Sequence, residues 1–159
     1  MGCGKSTVGP ELAKLLGRKF VDIDELIVKA KNKSISEIFK TEGEDSFRYY
    51  EKDVIKTIAK DSYQVVSLGG GALEDPANLR CVLESGKLVY LQCTPETLLK
   101  RLKNEKEKRP LLLENNDLNH TVIELLEKRS KTYQQAQFHF VADDLSPDKL
   151  AFEIYKKAY

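Results

Sequence analysis

The stretch Met-Gly-Cys-Gly-Lys-Ser-Thr at residues 1–7 constrains this chain more than any other. It matches the second half of a phosphate-binding loop, G-x-x-x-x-G-K-[ST], with Gly4, Lys5 and Ser6 closing it. Such a loop carries the chain from a strand into a helix. Backbone N–H groups and the helix N-terminus surround phosphate oxygens, and the Lys reaches the outer phosphates. The Ser6 hydroxyl is placed to meet Mg²⁺. An amphipathic run from Val8 to Leu16 follows at once and supplies the helix. The nucleotide-contacting set is therefore Gly2, Cys3, Gly4, Lys5, Ser6 and Thr7. The first Gly of the motif would stand two positions before Met1, and the strand feeding the loop before that. The expectation is a sheet whose first strand is missing from this chain, with two neighbouring strand edges left bare.

A chain of 159 residues is read as one domain. Its net charge of +1 exerts no global pull on nucleic acid or an anionic membrane, so any anion site must be a local cluster. No apolar run approaches a membrane span, and no secretory signal is visible. Cys3, Cys81 and Cys93 are odd in number and lack C-x-x-C spacing, which fits a reducing cytoplasm. Cys3 reads as a small filler of the loop. His120 and His139 are isolated, which argues against zinc and against nucleophilic catalysis. Tyr49, Tyr50 and Tyr133 read as packing residues.

Strand-like and helix-like segments alternate, the mark of a parallel α/β sheet. Helices are predicted at Lys5–Leu16, Glu25–Lys31, from a Ser34/Glu37 capping box to Gly43, and at Asp45–Lys60. Others begin at Asp75-Pro76 and Thr94-Pro95, and further ones run over Thr121–Gln137 and Pro147–Tyr159. Strands are predicted at Phe20–Asp24, Val65–Leu68, Lys87–Cys93 and Phe138–Val141. Residues Lys103–Asn119 read as a mobile polar loop. No repeat or linker marks a second independent domain.

Asp22 and Asp24 stand two apart at the carboxyl end of a predicted strand, where α/β folds bind ligands. They suit a metal and a substrate hydroxyl, or the cap of the next helix. Gly69-Gly70-Gly71 follows an apolar strand and permits close approach of a ligand to the backbone, or a tight turn. Arg48, Arg109 and Arg129 stay open, by spacing alone, between solvated positions and anion binding. Carboxylate and phosphate recognition favours the planar fork of Arg.

In this order and at these separations, G-C-G-K-S-T, F-V-D-I-D-E-L-I, I-S-E-I-F, G-E-D-S-F-R-Y-Y-E, S-L-G-G-G-A, R-P-L-L and K-R-S-K-T-Y resemble the shikimate kinases, small relatives of the nucleoside monophosphate kinases. The resemblance spans nearly the whole chain. It implies a three-layer α/β/α P-loop fold with a parallel sheet of five strands, four of them countable here. It implies a core at about 1–24 and 61–159, a substrate-binding subdomain at about 25–60 and a lid at about 103–119.

The implied reaction is ATP-dependent phosphorylation of the 3-hydroxyl of shikimate, a step toward aromatic amino acids, with ATP and Mg²⁺. Lys5 and the loop amides would hold the ATP phosphates. Ser6 would ligate Mg²⁺, and Asp22 would hold it through water. Asp24 would take the shikimate hydroxyls and serve as base. Arg48 and Arg129 would clamp the carboxylate, with Gly69, Gly70 and Gly71 beside the ring. Arg109 would close with the lid onto the nucleotide and the transferring phosphoryl group. The chain is expected to be a cytoplasmic monomer whose partner is a small molecule, neither nucleic acid nor membrane.

The adenine-side loop Ala142–Pro147 departs from the family in carrying acids and Leu145 before its proline. Two rival readings are a kinase of another polyol acid such as gluconate, and a non-catalytic relative that binds without turnover.

Overall fold

Gly4 turns the chain in the left-handed region, at φ 89°, and α1 (Lys5–Leu16) begins directly after it. Gly17 ends the helix at φ 62°, where its N–H bonds the Lys14 carbonyl and the Arg18 N–H bonds that of Ala13. The computed structural model describes residues 2–103 and 117–159. Arg109, the R-P-L-L stretch and most of the expected lid lie outside the described residues.

The elements then alternate as β1 (Lys19–Asp22), α2 (Ile23–Lys31), α3 (Ile35–Ile58), β2 (Gln64–Ser67), a short 3-10 turn (Ala72–Glu74), α4 (Pro76–Ser85), β3 (Val89–Gln92), α5 (Pro95–Leu102), α6 (Leu118–Tyr133), β4 (Phe138–Val141) and α7 (Pro147–Ala158). Local chemistry sets most of these boundaries. Ser34 and Glu37 form the expected capping box at the start of α3. Asp75 and Thr94 cap α4 and α5, each followed by a proline.

Several boundaries differ from the sequence expectations. The chain is helical from Ile35 to Ile58 except at Gly43, whose φ of 85° and ψ of 167° kink it. α6 starts at Leu118 because the Asp117 carboxylate caps the Asn119 and His120 amides. β1 stops at Asp22, whose side chain accepts from the Asp24 and Glu25 amides and so opens α2. Asp24 therefore sits in the first turn of a helix, and the strand-face argument for Asp22 and Asp24 does not hold.

The strands are parallel, as expected, but fall into two pairs. β1 runs beside β2, with Val21 opposite Val66, and β3 beside β4, with Leu91 opposite Phe140. Among the described residues no strand bridges the pairs. An apolar cavity of about 540 Å³ lies between them, lined from one side by Val65 and Val66 and from the other by Val89 and Leu91. Its lining reaches Cys3 and Lys5 at the loop end and Tyr63 and Lys87 at the other. The bare edges of β2 and β3 face this slot.

The helices bury separate apolar clusters. α1 and α7 pack together over Leu91 and Phe140 through Val8, Leu12, Leu150 and Ile154, and α1 also lies against β1 and β2. α2 and α3 close on Ile23, Ile27, Ile38, Phe47 and Ile55. α5 and α6 meet at Leu98, Leu102 and Val122. No described helix is long and apolar enough to cross a membrane.

Candidate active site

The carboxylate of Asp22 joins the two halves of the site. One oxygen accepts from the Ser6 hydroxyl at 3.3 Å, and the other from the Asp24 amide at 3.0 Å. The phosphate loop is thereby tied to the helix that carries Asp24. Lys5 and Ser6 open α1, whose first amides have no acceptor within the helix. A positive dipole end and free N–H groups meet there, where phosphate is best held.

Asp24 of α2 and Arg48 of α3 reach the glycine turn, and Arg129 of α6 reaches Glu74 in the 3-10 turn that directly follows it. A β-carbon on Gly69 would lie 2.5 Å from Glu51 Oε1 and 3.1 Å from Asp24 Oδ1. One on Gly71 would lie 2.6 Å from Arg48 Nη2. The glycines are required here because acidic and basic side chains press directly onto the backbone. Gly71→Ala is accordingly expected to push the Arg48 guanidinium out of place. The KM for the acceptor should rise by about tenfold or more, in line with a lost charged hydrogen bond, while the KM for ATP stays unchanged. Steady-state kinetics with each substrate varied checks this.

The arginines are held by carboxylates that the motifs did not single out. Arg48 donates to Glu51 at 2.8 Å and, along its own helix, to Glu44 at 2.9 Å. Glu51 is 1% exposed and its Oε1 lacks a hydrogen-bond partner. Burial pushes its carboxyl above the usual range, and Arg48 offsets only part of that. Its distance of three residues from Arg48 on one helix was a usable signal.

Arg129 is 4% exposed, and its Nε donates to Glu74 at 2.8 Å. Lys128 holds the other Glu74 oxygen at 2.7 Å. Nothing local in the sequence pairs Arg129 with Glu74, 55 residues away. Burial would raise the Glu74 carboxyl, but hydrogen bonds from Lys128 and Arg129 outweigh it and hold the carboxyl below its ordinary value. A carboxyl lowered on folding stabilises above its unfolded pKa, and that contribution is lost as pH falls through the folded value. The stability gap between the wild-type chain and Glu74→Gln is therefore expected at about pH 7 and should close below about pH 4, in thermal melts across that range.

Two further side chains brace the backbone. The Arg101 guanidinium donates to the Ala142 and Asp143 carbonyls at 3.0 and 3.3 Å and reaches the Gly2 carbonyl at 3.5 Å. It links the phosphate loop to the adenine-side loop. Asp143 accepts from the Thr94 amide and hydroxyl, so one acid of that loop is spent on structure. Tyr133 does pack, its ring 4.8 Å from that of Tyr90, but its hydroxyl also donates to the Gly70 carbonyl at 2.6 Å. Cys3 packs against both the α1–α7 and the α5–α6 clusters, in keeping with a filler.

The shikimate kinase family model matches residues 1–159, the whole chain. This chain belongs to the shikimate kinase family. The shikimate kinase of Persephonella marina is 42% identical over 97% of this chain and 92% of its own length. That of Thermus thermophilus is 37% identical over 100% of this chain and 86% of its own. Among solved structures, the shikimate kinase from Acinetobacter baumannii in complex with shikimate superposes with a TM-score of 0.94. It is 33% identical and covers 98% of this chain and 87% of its own. The enzyme from Bacteroides thetaiotaomicron superposes at 0.88, with 34% identity over 99% of this chain and 91% of its own. The chain is an enzyme, an ATP-dependent kinase of shikimate. The P-loop α/β fold expected from the sequence is the family's fold.

Proposed function

We propose that the residues gathered at the glycine turn divide the work of phosphorylating the 3-hydroxyl of shikimate. Arg48 and Arg129 anchor the substrate carboxylate, and the Gly69–Gly71 backbone lies beside the ring. Asp24 accepts the proton of the attacking hydroxyl as its oxygen bonds to the γ-phosphorus and the bond to ADP breaks. Lys5 and the Gly2–Thr7 amides hold the ATP phosphates and gather the developing charge. Arg109, assigned from its R-P-L-L motif, faces the transferring group from the lid. The α2–α3 unit, about 25–60, serves as the substrate subdomain, and about 103–119 as the lid. Phosphoryl transfer asks for alignment and charge neutralisation above all, and these residues supply both.

Mg²⁺ fits the donor set. The Ser6 hydroxyl and the Asp22 carboxylate stand 3.3 Å apart, both hard oxygen donors, beside the amides that would take phosphate. Ser6 would hold the ion directly and Asp22 through water. The ion would neutralise phosphate charge when bound.

The support for this division is the gathering of Asp24 and Arg48 at the glycine turn and of Arg129 at Glu74 just after it, with Asp22 tying this region to the phosphate loop. All of them belong to one chain, which favours a working monomer. The three cysteines are unpaired, in keeping with a reducing cytoplasm. The test compares shikimate and gluconate as acceptors in an assay coupled to ADP release. Shikimate should be strongly preferred, and Arg129→Lys should erase much of that preference. Equal use of both acceptors would sink the assignment of the two arginines.

A further inference from the structure

Two residues crowd the Gly70–Gly71 peptide. The Tyr133 hydroxyl donates to the Gly70 carbonyl at 2.6 Å. The Arg48 guanidinium fills the space that a β-carbon on Gly71 would take. Peptide bonds among the described residues are trans, so the Gly70 carbonyl and the Gly71 N–H point in opposite directions. Holding the carbonyl back toward α6 turns the Gly71 N–H away from α6. Among the described residues that N–H makes no backbone hydrogen bond. Tyr133 also lies one helical turn beyond Arg129, on the same face of α6. A single helix face thus presents both the carboxylate-binding arginine and a strut for the turn.

We propose that Tyr133 is a positioning residue, whose hydroxyl fixes the Gly70–Gly71 peptide so that the Gly71 N–H donates to the substrate carboxylate. The proposal takes the carboxylate anchor assigned above as given. Without the hydroxyl the peptide is free to rotate, and its N–H is no longer held toward the ligand. Glycines on both sides make that rotation easy. Burial raises the Tyr133 phenol to about 12, so the hydroxyl remains a donor at any working pH. The carboxylate does not react, and its anchor acts alike in the ground and transition states. Its loss should therefore appear in KM and leave kcat in place.

The experiment is Tyr133→Phe, which keeps the ring against Tyr90. The KM for shikimate should rise about tenfold, the size of one hydrogen bond to a charged group, with kcat, the KM for ATP and Tm close to wild type. An unchanged KM for shikimate overturns the proposal. So does a rise in both KM values together with a fall in Tm, which marks a merely structural role. If Tyr133→Phe does not fold, 3-fluorotyrosine at this position keeps ring and donor. Its KM for shikimate should be no higher than wild type, and a several-fold rise overturns the proposal. Arg129→Lys separates the two levels. If it leaves the KM for shikimate unchanged, the anchor itself fails. If it raises that KM and Tyr133→Phe does not, only the strut fails.

Discussion

Lys5→Ala is expected to lower kcat by about 10²–10³-fold, the loss of roughly 3–4 kcal/mol that follows removal of one preorganised electrostatic donor. The side chain stands at the first residue of α1, where the helix dipole and the loop amides already favour anions. Among the described residues it donates no hydrogen bond and joins no ion pair that would be missed in the free enzyme. The fold should therefore survive the change, with Tm close to wild type. The charge it supplies matters most as the γ-phosphoryl group loosens and negative charge spreads over its oxygens. For that reason kcat should fall more than the KM for ATP rises. Near-normal turnover in Lys5→Ala would remove the phosphate loop from the mechanism.

The second large effect concerns the slot between the strand pairs. A short extended apolar segment, joined to Met1 through a Gly-x pair, is expected to raise Tm by about 10 °C. β2 and β3 are each four residues long, so about five residues span the slot. Burying their apolar side chains yields roughly 1.5–3 kcal/mol each, against about 1–2 kcal/mol per residue for ordering the chain. The surplus is about 3 kcal/mol, before the hydrogen bonds made on both edges. The cavity runs from Tyr63 and Lys87 to Cys3 and Lys5, so the added strand would lie parallel to β2 and β3 and lead into the loop. ATP should also bind more tightly, since the loop would be held at both ends. The control is a Gly/Ser segment of equal length. Equal melting temperatures and equal ATP affinities for the two extended chains would show that the slot gains nothing from a strand.

The wider surroundings of the site behave differently from these two points. The arginines are held by Glu51 and Glu74, and the turn by Tyr133, so changes at those residues should tune substrate affinity while leaving the chemical step near its usual rate. Gly71→Ala and Tyr133→Phe disturb the same peptide. Their effects on the KM for shikimate should therefore not add.

What the sequence determined alone lies within a few residues of itself. The phosphate loop, the Ser34/Glu37 capping box, the Asp75 and Thr94 caps and the prolines at helix starts were all legible. Each cap is an interaction between positions three or fewer apart, complete within its own stretch of chain. Asp24 was expected at the end of a strand but lies in the first turn of α2, because the Asp22 carboxylate begins that helix before a strand could reach it. The ordered motifs also carried the family, since their spacing records a whole site at once.

Tertiary structure alone decided which groups hold that site in shape. Glu74 meets Arg129 across 55 residues, and Tyr133 meets Gly70 across 63. Neither pairing leaves a periodic or local trace, because both arise from α6 packing across the glycine turn. The slot between β2 and β3 belongs to the same class. Bare strand edges could be expected from the motif, but the shape and apolar lining of the space depend on how α1, α7 and the α2–α3 unit pack against the strands.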